Sequence, residues 1–99
     1  MFDMANLSKL KTLSAGAPDA MKAFHAFDAA AFKEGALSVK TKELLAVAVA
    51  LTTQCAYCLE IHGKKARAAG ATDAELSEVA MVAAAIRAGG AVTHACHVL

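Results

Sequence analysis

Four residues in the middle of this sequence combine side-chain types and spacings that suit thiol chemistry. Cys55 and Cys58 form a CxxC pair, and His62 follows Cys58 by four positions. Glu43 precedes Cys55 with eleven residues between them. The thiolate, not the thiol, is the attacking form of cysteine, so a reactive pair needs a neighbouring group that takes the thiol proton. The pattern therefore predicts a redox centre with its own acid–base relay.

A helix beginning at the CxxC motif would place these groups together. Cys55, Cys58 and His62 stand at i, i+3 and i+7, which share one face of a helix. At the start of that helix the dipole favours a negative sulfur on Cys55. One turn beyond Cys58, His62 can accept the thiol proton or stabilise the thiolate.

The position of Glu43 depends on how two helices meet. If they form an antiparallel hairpin that turns near Thr53 and Gln54, Glu43 lies within about one turn, ~5.4 Å, of His62. The carboxylate would then increase the basicity of the imidazole. The predicted order of the relay is Glu43, His62, Cys58 and Cys55.

The rest of the chain predicts an all-α scaffold of about five to six helices. One proline and an abundance of Ala, Leu, Lys and Glu favour helix throughout. Ser38 is a predicted N-cap, Gly70 a C-terminal stop, and the stretch 72–75 a capping box. A Gly-Gly pair at 89–90 predicts a break before a short helical tail. The expected helices cover residues 6–13, 18–33, 38–52, 55–69 and 72–88.

Composition predicts a single small domain over residues 1–99 that associates with copies of itself. A chain this short has a thin stability margin as a lone monomer. Its hydrophobic content is 58%, above the usual ~45–50%. We expect the excess apolar surface to form the interface of a homo-oligomer.

Charge and hydropathy argue against several classes of partner. The net charge is +1, and the single basic cluster, residues 64–67, is expected to be the solvated end of a helix, so no nucleic-acid partner is predicted. The longest apolar run, residues 44–51, is far below the ~18 residues needed to span a bilayer, so no membrane partner is predicted. No export signal is evident, and the cytoplasm is the expected location.

The spacing of Glu43, Cys55, Cys58 and His62 resembles the signature of the alkylhydroperoxidase D (AhpD) family, which shares the carboxymuconolactone decarboxylase fold. The flanking sequences LSVKTKELLAVAVALTTQCAYC and GATDAEL are similar as well, and the resemblance covers about residues 24–86. It implies an AhpD-like helical subunit that assembles as a homotrimer or homohexamer. It also implies a peroxidase or disulfide-reductase cycle that needs no flavin, haem or metal.

Carried over by position, the resemblance assigns a role to each site residue. Cys58 would attack a hydroperoxide, Cys55 would resolve the sulfenic acid as a disulfide, and an external dithiol would reopen it. His62 and Glu43 would relay the proton. Tyr57 stands where the best-characterised members have a histidine, so one relay or orienting group is replaced, either by a space-filling ring or by a hydroxyl offered to the substrate.

Two alternatives to the peroxidase remain at this stage. One is a thiol redox sensor or adaptor of the same fold, whose disulfide regulates assembly. The other is a zinc-binding helical module, in which the CxxC pair and His62 would supply three ligands. Its fourth ligand would come from the tail: His94, Cys96 or His97. The apolar core and the lack of a second CxxC favour the redox interpretation.

Overall fold

The computed structural model describes residues 2–99, and within that range the chain is helical without any strand. The all-α prediction is therefore confirmed. A 3-10 helix, Met4–Lys9, leads into the α-helices, and a 3-10 turn, Ala95–His97, follows them. The α-helices are α1 (Leu10–Gly16), α2 (Pro18–Phe32), α3 (Val39–Thr53), α4 (Ala56–Ala68) and α5 (Asp73–His94).

Helices α3 and α4 form a tight hairpin. The Ser38 hydroxyl caps α3 by accepting a hydrogen bond from the Thr41 backbone N–H at 3.1 Å. At its other end, Gln54 adopts the left-handed conformation, φ 56°, and Cys55 is already the N-cap of α4. The Cys55 N–H donates to the Ala50 carbonyl at 3.0 Å. This short connection makes α3 and α4 antiparallel neighbours, which is the arrangement that the relay requires.

The connection from α4 to α5 follows from its sequence. Gly70 has φ 98°, a conformation that costs glycine little, and the Ala71 N–H donates back to the Ala66 carbonyl at 2.9 Å. The Thr72 hydroxyl accepts from the Glu75 N–H, and the Glu75 carboxylate accepts from the Thr72 N–H. The predicted stop and capping box are thus both present.

Helix α5 runs parallel to α3, and polar contacts join the two helices near both ends of α3. Lys40 and Glu75 form an ion pair at 2.7 Å near the starts of the two helices. The Arg87 guanidinium donates to the Thr52 carbonyl near the end of α3. The hydrogen bond from Lys40, followed by that from the Thr72 N–H, holds the pKa of the Glu75 carboxyl below its ordinary value. Helix α3 is consequently the central element, with α4 and α5 packed along it.

The core between these three helices is small. Val47, Ala66 and Ala71 are buried in its centre. Five half-buried residues pack around them: Leu44, Leu51, Leu59, Leu76 and Val79. Large apolar side chains on α2 lie outside the core, since Phe24 is 56% and Phe27 69% exposed. Much of the apolar content of the chain therefore faces outward.

The predicted break at Gly89 and Gly90 is wrong, because α5 continues through both residues to His94. Glycine inside a helix costs up to about 1 kcal/mol relative to alanine, but it does not remove a backbone donor as proline does. The predicted tail helix is consequently the end of α5 together with the turn Ala95–His97. The first predicted helix also differs, since a 3-10 helix precedes α1 and α1 extends to Gly16.

Helix α5 and the turn that follows it, Asp73–His97, are long and apolar enough to cross a membrane by length and composition alone. The mean hydropathy of the best 18-residue window is 1.4, and only 6% of that window is buried. Polar residues interrupt this segment, so it contains no long continuous apolar run. One such helix is weak evidence for a membrane span, because the core helix of a soluble protein or a signal sequence can have the same length and hydropathy.

Candidate active site at the CxxC motif

The CxxC motif lies at the beginning of α4. Cys55 and Cys58 are joined in a disulfide, with 5.3 Å between their Cα atoms. Cys55 is the N-cap, and its sulfur accepts a hydrogen bond from the Cys58 backbone N–H at 3.2 Å. A backbone donor and the positive end of the helix dipole are thus directed at the Cys55 sulfur. A thiolate released at Cys55 would be stabilised there.

Glu43 and His62 are paired across the α3–α4 hairpin. The distance between Glu43 Oε2 and His62 Nδ1 is 2.7 Å, and the two side chains are 6% and 17% exposed. Among residues 2–99, Glu43 is the one buried charged residue. Because a carboxylate can only accept, Nδ1 carries the proton in this pair, and Nε2 of a neutral ring is left as a base. The pair has the form of a general base oriented by a buried carboxylate.

Cys58 and His62 both line an open groove of about 460 Å³. Its remaining surface is mainly apolar and comes from α2, α3 and the loop between them, including Phe32, Leu37 and Leu45. Cys55 does not line the groove. The more accessible sulfur from this side is therefore that of Cys58, which shares the groove with His62.

Phe32, at the end of α2, is a site residue that sequence reasoning did not identify. Its ring stacks on the imidazole of His62, with 4.9 Å between centroids and 8° between planes. The Lys42 ammonium donates to the carbonyl of Ala31, at 2.9 Å, and to the carbonyl of Lys33. This cation anchors the end of α2 to α3 on either side of Phe32. No spacing rule indicates the contact, because it depends on how α2 crosses α3.

Tyr57 points away from the cysteine–histidine groove. Its ring meets that of Phe2 edge to face, with 5.7 Å between centroids. Together with Leu10 and Leu13 it lines a separate depression against the N-terminal segment. Of the two roles considered for Tyr57, filling space fits this position. Its hydroxyl does not take the place of a relay group between Cys58 and His62.

The tail residues are not gathered with the CxxC motif into a metal site. In the part of the chain that the structure describes, no group of three or more His, Cys, Asp or Glu side chains is arranged to hold a metal ion. Cys96 is exposed and unpaired, and the rings of His94 and His97 lie 5.5 Å apart. The ligand set of the zinc alternative is therefore not assembled in this subunit.

Fold and site together define an all-α protein with a disulfide-forming CxxC pair beside a buried carboxylate–histidine pair. Residues 18–99 match the sequence profile of the carboxymuconolactone decarboxylase family. That match covers most of the chain, and the chain belongs to this family. The AhpD-like resemblance is confirmed at the level of family and fold.

Two solved structures are similar to this chain. A carboxymuconolactone decarboxylase family protein from Legionella pneumophila, solved in its apo form, aligns with a TM-score of 0.77 and 35% identity, covering 81% of this chain and 71% of that one. A protein from Methanobacterium thermoautotrophicum aligns with a TM-score of 0.83 and 36% identity, covering 88% of this chain and 98% of that one. The two proteins share the helical arrangement of this chain, and their sequence identity to it supports common ancestry as well as a common fold.

Relatives found by sequence are longer than this chain. An uncharacterized protein of the cox locus of Paracoccus denitrificans is 51% identical over 73 residues, which is 74% of this chain and 66% of that protein. An uncharacterized protein of Haemophilus influenzae is 43% identical over 49 residues, which is 50% of this chain and 43% of that protein. The matched segments span 66% and 43% of the length of these two relatives.

Proposed function

We propose that this protein is a thiol peroxidase with disulfide-reductase chemistry, in which the CxxC pair reduces hydroperoxides. The observation that carries the proposal is the convergence of three elements: the Cys55–Cys58 disulfide, the Glu43–His62 hydrogen bond, and a groove lined by both Cys58 and His62. A nucleophile, a base and an open approach are the components that such a reaction needs.

The first half-reaction oxidises Cys58. His62 takes the thiol proton, and the Cys58 sulfur attacks one oxygen of the hydroperoxide. The O–O bond breaks and the alcohol leaves with a proton returned by the imidazolium. Cys58 becomes a sulfenic acid. Glu43 stabilises the imidazolium and fixes the tautomer during this exchange.

The second half-reaction closes the disulfide and then reopens it. The Cys55 sulfur attacks the Cys58 sulfenic acid, forming the S–S bond and releasing water. An external dithiol then supplies two electrons and two protons, restoring both thiols while it becomes a disulfide itself. When Cys55 leaves as a thiolate, the N-cap position stabilises the charge. The cycle is proposed to need no cofactor, with a hydroperoxide and a cytoplasmic dithiol as its two substrates.

Intact mass and thiol titration on the reduced protein test this function. After one equivalent of an organic hydroperoxide, we expect a loss of two hydrogens that peptide mapping assigns to Cys55 and Cys58. Catalytic peroxide consumption should then depend on a dithiol such as dithiothreitol. Oxidation that is stoichiometric but never catalytic would indicate the thiol sensor instead. Unchanged thiols, or zinc bound in equal amount, would exclude both redox functions.

We also propose that the working form is a homotrimer or homohexamer. The single chain exposes 7279 Å². A compact monomer of 10.1 kDa exposes about 5,300 Å², so the excess is about 2,000 Å². An excess of that size is comparable with an extensive subunit interface. Much of it is apolar, including the outward side chains Val82, Ile86 and Val92 of α5.

Native mass spectrometry should therefore give a particle of three or six chains. Replacing Ile86 by Glu, at a site 70% exposed in the subunit, should shift the population toward monomer because a charge would be buried in the interface. Lys65→Glu, on an exposed polar face, is the control and should leave the assembly intact. A monomeric protein at micromolar concentration would contradict this proposal without affecting the chemistry of the site.

A further inference from the structure

Phe32 lies where it can control the orientation of His62. The two rings are nearly parallel, with 8° between their planes, and their centroids are separated by 4.9 Å. This separation is within the range of stacked aromatic pairs. His62 is held at its edge by Glu43 through Nδ1. The stack therefore supplies a second restraint, on the face of the ring.

The two restraints act on different motions of the imidazole. A hydrogen bond to Nδ1 fixes one edge but permits the ring to tilt about that contact. A phenyl ring parallel to it opposes the tilt, because a tilted imidazole would collide with Phe32 or lose contact with it. The same aromatic face can stabilise the positive imidazolium that forms when His62 holds the thiol proton.

Phe32 is itself held in place by a contact with α3. The Lys42 ammonium donates hydrogen bonds to the carbonyls of Ala31 and Lys33, the residues on either side of Phe32. These carbonyls lie at the C-terminal end of α2, where a cation is favourable. Lys42 also directly precedes Glu43 in α3. One helix therefore carries both the carboxylate that holds the edge of His62 and the cation that anchors Phe32.

We propose that Phe32 is a positioning residue, which holds the His62 ring in the orientation that allows its free nitrogen to serve Cys58. The inference rests on the proposed proton relay, and it adds a residue that lies outside the CxxC–histidine–glutamate pattern. Phe32 stacks on the histidine, so its proposed contribution is to raise the fraction of molecules in which the base is correctly oriented.

The test uses alkylation of Cys58 in the reduced full-length protein, which requires no knowledge of the natural peroxide. Iodoacetamide reacts with thiolates, and the rate is followed across pH by mass spectrometry, with fragment ions that distinguish alkylation at Cys58 from alkylation at Cys55. In Phe32→Leu we expect the rate at neutral pH to fall by about two- to tenfold, the factor associated with an aromatic pair beyond its buried area. The midpoint of the profile should move to higher pH, and the plateau at alkaline pH should be unchanged.

Two control variants and one reference variant are measured alongside Phe32→Leu. Phe32→Tyr retains a six-membered ring and should behave as wild type. Phe27→Leu makes the same change on the same helix at a side chain 69% exposed and should also have no effect. His62→Gln gives the effect of losing the base altogether. The charged groups next to the imidazole and the groove, Glu43 and Lys42, are the same in both phenylalanine variants, so charge does not account for a difference between them.

The outcomes separate the positioning role from the relay. If His62→Gln moves the midpoint and Phe32→Leu does not, the positioning role is overturned and the relay remains. If neither variant moves it, both ideas fail. If Phe32→Leu lowers the alkaline plateau by the same factor as the neutral rate, the change affects access to the sulfur and the proposal is also overturned. Circular dichroism and the ring-proton NMR signals of His62 check that each variant is folded and whether the stack is present.

Discussion

Replacing Cys58 with serine is expected to abolish peroxide consumption, with a loss of about a thousandfold or more in turnover, because the attacking sulfur is removed. Replacing Cys55 with serine should also stop turnover, but at a later step. The remaining Cys58 should react once and gain one oxygen as a sulfenic acid, since no second sulfur can displace it. Intact mass spectrometry after a single addition of hydroperoxide distinguishes these two results.

The groove supports this assignment, because it is lined by Cys58 and not by Cys55. Cys96→Ser is the matched control, since this cysteine is exposed and outside the disulfide, and its turnover should equal that of wild type. The opposite pattern, with the oxygen adduct forming in Cys58→Ser and no reaction in Cys55→Ser, would reverse the two roles. The N-cap position of the Cys55 sulfur would then mark the attacking thiolate.

Loss of the base should produce the second largest effect. His62→Gln is expected to lower turnover by about a hundredfold, the range usual for a general-base group. Glu43→Gln should lower it by about tenfold or more, because the glutamine keeps a hydrogen-bond acceptor for Nδ1 but lacks the charge that stabilises the imidazolium. Steady-state peroxide consumption at saturating dithiol measures both.

The double variant tests whether the two residues form one relay. Glu43 contacts His62 at 2.7 Å, so its effect should be transmitted through the histidine, and the double variant should be about as slow as His62→Gln alone. Glu60→Gln is the control, since this carboxylate is exposed on α4 and pairs with Lys64. Multiplicative losses in the double variant would show that the two groups act independently. Turnover that survives His62→Gln would remove the relay from the mechanism.

The hairpin illustrates a prediction that local sequence could support. Ser38 indicates where α3 begins, and the short break at Thr53 and Gln54 indicates where it turns. Antiparallel pairing about that break places Glu43 beside His62, and the structure has these residues in contact. Capping and register act over a few residues, so their sequence signals are reliable without knowledge of distant contacts.

The glycines show where the same kind of reasoning reaches its limit. Gly70 ends α4 because the chain there adopts a left-handed conformation with a backbone hydrogen bond back to the helix. Gly89 and Gly90 lie inside α5, where the backbone continues as a regular helix. The residue type is identical in both places. The difference lies in the conformation of the surrounding chain and in how α5 packs along α3.

The sequence by itself determined the helical class, the family, and the group of residues that can perform thiol chemistry, because these depend on composition, caps and fixed spacing. Only the tertiary structure decided that Phe32 covers the ring of His62, that Tyr57 faces the N-terminal segment, and that Cys58 opens onto the groove. Each of these depends on the angle at which one helix crosses another or on which way a side chain leaves it. Such angles result from the packing of whole surfaces, so no local pattern of residues specifies them.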